Sequence, residues 1–142
     1  MLQKIRILLL VCITAVLAAC GGGGGGDETP SFAGTYRVSS TLTTNNCNVS
    51  VAASILSQDV ATQNGRAMSF GSGSLAMTGS VDADNGGFSV SNTTISSGVP
   101  VISTFAFRTA AVANTYASTL SVSATSGSAT CAVVYKGTAV RS

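Results

Sequence analysis

From Thr35 onward, apolar and polar side chains alternate with a period of two, and turn-forming residues interrupt the alternation at short intervals. A spacing of two places every second side chain on one face of an extended strand, whereas a helix needs a spacing of 3.6. Tyr36, Val38 and Leu42 alternate with Thr35, Arg37, Ser39 and Thr41. Val49, Val51, Ala53 and Ile55 make a second run, and Met68 with Phe70 a short third. Leu75, Met77 and Val81 mark a fourth, and Phe88 and Val90 open a fifth. Phe105 and Phe107 share one face of a sixth, with Arg108 on the other. Tyr116, Leu120 and Val122 line a seventh, and Cys131, Val133 and Tyr135 an eighth.

Turn signals separate most of these runs. They are Asn64-Gly65, Gly71-Ser72-Gly73, Asp84-Asn85-Gly86-Gly87, Ser97-Gly98-Val99-Pro100 and Ser126-Gly127. Asn-Gly and Gly-Gly supply the positive φ that tight hairpins require. The pattern predicts an all-β domain over residues 32–142, built as an antiparallel eight-stranded up-and-down β-barrel or as a β-sandwich.

The first residues follow a different grammar. Lys4 and Arg6 precede an apolar stretch from Ile7 to Val16, broken by Thr14 alone. Leu17-Ala18-Ala19-Cys20 closes it with two small residues before a cysteine. Basic, apolar and small-residue zones in that order predict a secretory signal peptide over residues 1–19, too short for a lasting span. The Leu-Ala-Ala-Cys ending resembles the bacterial lipobox. That resemblance implies cleavage before Cys20, a covalent lipid on Cys20, and membrane attachment. Residues 20–31 would then be a tether, since Gly21 to Gly26 is unbroken glycine. Such a segment reaches roughly 20 Å. Glycine-rich starts also resemble those of some surface-exported lipoproteins. Gly21, rather than Asp, follows the cysteine, which by resemblance to a known sorting rule points to the outer membrane.

Removing the signal changes both the charge and the cysteine arithmetic. The chain carries 7 basic and 5 acidic residues. Without Lys4 and Arg6 the basics fall to five, and the mature charge is zero. Only 8% of residues are charged, against roughly 25% in an average domain. A neutral surface of Ser, Thr, Gly and Asn has no basic stripe to neutralise phosphates, so nucleic acid is not an expected partner. Of 4 cysteines, Cys12 leaves with the signal and Cys20 takes the lipid. Cys47 and Cys131 remain, an even pair in an oxidising compartment, which predicts a disulfide. Free thiols or a metal site are the rival readings, and two cysteines without histidine make a poor metal site.

The cysteines bear on the choice of architecture. In an up-and-down barrel the last strand pairs with the first, so the start of strand eight lies beside the end of strand one. Cys131 and Cys47 occupy those places, and a bridge there would pin the closing seam. An immunoglobulin-like sandwich fits less well, because the chain has no Trp and Ala129 stands where the corner tyrosine belongs. Gly34-Thr35-Tyr36 opens the first run and Arg141 lies near the end. In these two spots the domain resembles the calycins, the lipocalin-like small barrels, with Tyr in place of their Trp. The resemblance implies a closed barrel and a basic residue packed on the ring of Tyr36.

Catalytic chemistry has little to work with. The chain has 0 His, which removes the commonest general base and metal ligand. Glu28 sits in the tether, leaving Asp59, Asp82 and Asp84 for acid–base work. Asp82-Ala83-Asp84-Asn85-Gly86 departs from a calcium loop, because Gly86 holds the fifth position and Thr93 the twelfth. A hairpin turn is the expected reading. Gly71-Ser72-Gly73-Ser74 lacks the spacing of a nucleophile elbow. Asn48-Val49-Ser50 and Asn92-Thr93-Thr94 match the glycosylation acceptor pattern by composition.

The remaining candidate site is the barrel interior. Tyr36, Met68, Phe70, Met77, Phe88, Phe105, Phe107, Tyr116 and Tyr135 are the candidate ligand-lining residues. A barrel of this size is either filled by its side chains or holds one small ligand, and so short a chain favours filling. The expected protein is therefore a lipid-anchored outer-membrane lipoprotein of the cell envelope without catalytic activity. Its partners are the membrane and either a small apolar ligand or an envelope protein; a structural or adhesion module with a filled core is the alternative. No metal and no cofactor beyond the lipid on Cys20 are expected.

Overall fold

The computed structural model describes residues 28–142. The expected signal peptide, Cys20 and the glycine run lie outside the described residues. The domain is all-β: β1 (Gly34–Asn45), β2 (Ser54–Asn64), β3 (Ala67–Phe70), β4 (Met77–Val81), β5 (Gly87–Ser96), β6 (Val99–Thr109), β7 (Thr115–Ser126) and β8 (Ala129–Arg141). Each strand pairs antiparallel with its sequence neighbour, and β8 returns to β1 to close the barrel. The up-and-down barrel, rather than the sandwich, is the observed architecture. The closing seam runs from Tyr36 opposite Arg141 to Asn45 opposite Val133, with a register shift between Leu42 and Thr44.

The seam carries the expected disulfide. Cys47, just past β1, is bonded to Cys131 near the start of β8, with their Cα atoms 4.8 Å apart.

Three local expectations are corrected. The run from Val49 to Ala53 is not a strand; β2 starts only at Ser54. Leu75 belongs to a single 3-10 turn (Gly73–Leu75) and is exposed, because β4 begins at Met77. Val99 and Pro100 do not break the chain but open β6. The turn before them is Ser97-Gly98 alone, with φ of 50° and 80°. Two successive positive φ values turn the chain within two residues, as a tight hairpin requires.

The barrel has one filled half. Phe32, Tyr36, Phe70, Phe88, Phe105, Phe107 and Tyr116 form an aromatic cluster, completed by Val38, Ala61, Met68, Val81, Val90 and Ala139. Phe88 and Phe107 stack at 4.7 Å, as do Phe105 and Phe107. Tyr36 packs on Phe88, Phe107, Phe70 and Tyr116 at 5.3–6.0 Å. Close tilted and offset rings add to the stabilisation that their burial already supplies. Phe32 is the stopper of this end: its amide donates to Gln63 Oε1, and its carbonyl accepts from the buried Tyr36 hydroxyl. The core, the seam and the disulfide all lie within residues 32–142.

Outward faces are mostly hydroxyl-bearing, as in Thr35, Ser39 and Thr41 on β1 and Ser89, Ser91 and Thr93 on β5. An apolar inside and a hydroxyl outside is the reverse of the lipid-facing pattern of membrane-spanning barrels.

Candidate binding site

The other half of the barrel is open. The inward rows of β7 and β8 continue past the aromatic cluster as Leu120, Val122 and Ala124, and as Tyr135, Val133 and Cys131. Together with Ile55 of β2 they wall a cavity of about 430 Å³. Its roof is the segment of residues 46–53, through Cys47, Val49 and Val51.

That roof is fastened at several points. Cys47 holds it through the disulfide to Cys131. The Asn46 amide donates to the Ala132 carbonyl, and the Ala132 amide donates back to Asn46 Oδ1. The Tyr135 hydroxyl donates to the Ala52 carbonyl at 2.8 Å. Asn45 Nδ2 donates to the Val49 carbonyl, and the Leu42 amide to the Ala53 carbonyl. Asn48 turns the chain with φ of 54°, a conformation asparagine tolerates. Val49 and Val51 therefore alternate because they face the cavity, although they make no strand ladder.

Between cup and core lies a polar layer. Ser40 of β1 and Ser118 of β7 are both buried and share a hydrogen bond of 3.1 Å. Gly137 of β8 pairs with both residues, so no side chain stands between the two hydroxyls. A second hollow of about 250 Å³ is lined by Asp59, Phe70, Gly71, Ser72, Leu75, Met77 and Phe105. It opens where the wall is lowest, since β3 has 4 residues and β4 has 5.

The structure divides the nine sequence-derived lining candidates. Tyr36, Met68, Phe88, Phe107 and Tyr116 fill the closed half. Phe70, Met77 and Phe105 line the smaller hollow, and Tyr135 alone lines the cup. The cup residues that sequence reasoning missed are Val49, Val51, Ile55, Leu120, Val122 and Val133. Their signal was present as aliphatic residues of matching parity on both sides of the two cysteines.

Elsewhere, the acidic turn is tied to a neighbouring strand. Arg108 Nη1 donates to both Asp84 oxygens, at 2.7 and 2.8 Å, and Arg108 Nε lies 3.6 Å from Asp82. The Gly86 amide, and then Arg108, hold the Asp84 carboxyl below the usual carboxylate range. This matches the hairpin reading of the segment. Among the described residues no three His, Cys, Asp or Glu side chains group as metal ligands, and no helix is long and apolar enough to cross a membrane. Arg141 covers the closed end: its guanidinium lies 5.9 Å from the Tyr116 ring centre and donates to the Ser31 carbonyl. Tyr116, which packs against Tyr36, is thus the ring that Arg141 covers.

No known family, curated protein or solved structure matches the chain.

Proposed function

We propose that this protein is a non-catalytic, lipid-anchored lipoprotein of the bacterial outer membrane whose barrel binds one small apolar ligand in the cup. The observation that carries this reading is the aliphatic cavity of about 430 Å³ beneath the disulfide-pinned segment. Small-ligand sites are typically concave, largely apolar and roughly 300–1,000 Å³, with a few polar groups that fix orientation. Here the roof is covalently anchored to a wall strand, which supports a preformed site.

The geometry also suits an anchored protein. The chain enters through Phe32 at the closed end, so a tether from Cys20 leaves the cup at the opposite end. A second reading, a surface that binds an envelope protein, draws on Leu56 and Val60. They are 81% and 52% exposed on the outer face of β2.

Native mass spectrometry of residues 21–142, exported to the periplasm and incubated with envelope extract, tests the ligand reading. A reproducible small adduct that denaturation removes and Val122→Trp abolishes is the expected result. A bare mass in every extract would move the function to the outer surface. For the anchor, Cys20→Ser in the full chain should block lipid attachment and release the protein from membranes. Unchanged attachment would refute it.

A further inference from the structure

We infer that the guest is a single-chain amphiphile with a cationic head group, its chain in the cup and its head at Asp59. This rests on the cup being a binding site, and it adds the chemical class of the ligand.

The inward face of β2 connects the two hollows. Ile55 lines the cup, and Asp59, four positions on, lines the smaller hollow. At about 3.3 Å per residue the two side chains stand about 13 Å apart along the strand. On the opposite wall Phe105 of the smaller hollow is the cross-strand partner of Leu120 in the cup, so the two hollows are neighbours. The inferred guest spans from one to the other.

The chemistry of the two ends differs. The cup offers aliphatic side chains and one tyrosine, which suits a hydrocarbon chain. The smaller hollow is lined by the partly buried Asp59 together with Met77 and the packed ring pair Phe70 and Phe105, whose centroids lie 5.4 Å apart. Among the described residues the ion pairs are those of Arg108 with Asp82 and Asp84, on a turn at the closed end, and Asp59 takes part in none of them. Aromatic faces and a carboxylate both attract an ammonium group and both disfavour an anion. The low wall at β3 and β4 lets a charged head keep part of its hydration.

Calorimetric titration of residues 21–142 with dodecyltrimethylammonium and dodecyl sulfate, each below its micelle concentration, and with dodecanol below its solubility limit, tests this. The ammonium should bind about tenfold more tightly than dodecanol, and the sulfate more weakly than dodecanol. Asp59→Asn, nearly isosteric, should erase the ammonium advantage and leave dodecanol binding unchanged, while Asp59→Glu should retain part of it. In the unaltered protein, added salt should shrink the ammonium advantage and spare dodecanol, a readout that does not depend on a variant folding. Equal binding of ammonium and sulfate, or an advantage that survives Asp59→Asn, overturns the inference. Dodecanol binding without head-group preference leaves the cup as a site and removes only Asp59. If no probe binds, the cup reading falls too.

Discussion

Tyr36 joins the barrel's stopper to its core. Its ring is fully buried and its hydroxyl donates to the Phe32 carbonyl at 2.8 Å. Tyr36→Phe should keep the ring packing and leave that carbonyl without its partner, a loss of about 1–2 kcal/mol measured by denaturant unfolding. Burial, and then the neighbouring Tyr116, push the Tyr36 hydroxyl above the ordinary tyrosine range. The unfolded chain releases this proton near pH 10, whereas the native state retains it above that. The stability it contributes is therefore complete below about pH 10 and declines as pH rises further. Tyr36→Phe should flatten this alkaline limb; an unchanged slope would assign the limb to other groups. Gly137 is constrained differently. A Cβ there would lie far inside van der Waals contact of the Ser39 carbonyl, where β8 and β1 approach closely. Gly137→Ala should open the closing seam, read as early loss of amide protection along β1 and β8; native-like protection would contradict this. The alternating pattern made Tyr36 legible as an inward residue. It could not assign Gly137, whose role comes from a neighbouring strand.

β2 shows where periodicity misleads. Its outward face carries Leu56 and Val60, while Asp59 and Gln63 point inward. An apolar count along that segment selects the wrong face, and the cleaner alternation from Val49 to Ile55 lies largely in the roof of the cup. The hydrophobic signal there reported the lining of a cavity, in which Val49 stays 50% exposed, and a strand and a pinned loop can both supply such a lining. The strands without such competition, β1 and β5 to β8, were legible because their inward rows are mostly apolar, whether they meet the aromatic cluster or wall the cup. The seam disulfide was legible too, since barrel closure brings Cys47 and Cys131 together. Its loop spans 84 residues, for which chain entropy gives about 4–5 kcal/mol as an upper figure. Replacing both cysteines by serine should cost about 2–4 kcal/mol in denaturant unfolding. The barrel should remain closed, with Asn46, Tyr135 and Leu42 still bonding the roof, but apolar probes should leave the cup faster. Loss of the β-sheet circular dichroism at neutral pH would mean that the disulfide, not the aromatic half, holds the fold.

The barrel as a unit is divided between stability and access. Its closed half is packed with rings, and its open half keeps aliphatic walls apart beneath a fastened roof. Sequence left filling and hollowness as alternatives; the structure contains both, separated by the layer of Ser40, Gly137 and Ser118. That division was not legible because parity tells inside from outside but not one end of a barrel from the other. Filling the cup from within should separate the two roles: Val122→Trp should leave the melting temperature within a few degrees while removing apolar-probe binding, because the new ring occupies space no core residue needs. The most direct measurement is an amide-resolved NMR titration of residues 21–142 with dodecanol. Saturable shifts centred on Val49, Val51, Ile55, Leu120, Val122 and Val133, with Phe88 and Phe107 unmoved, are the predicted result. Shifts absent from those positions, or confined to the outer face at Leu56 and Val60, would contradict a ligand-binding cup.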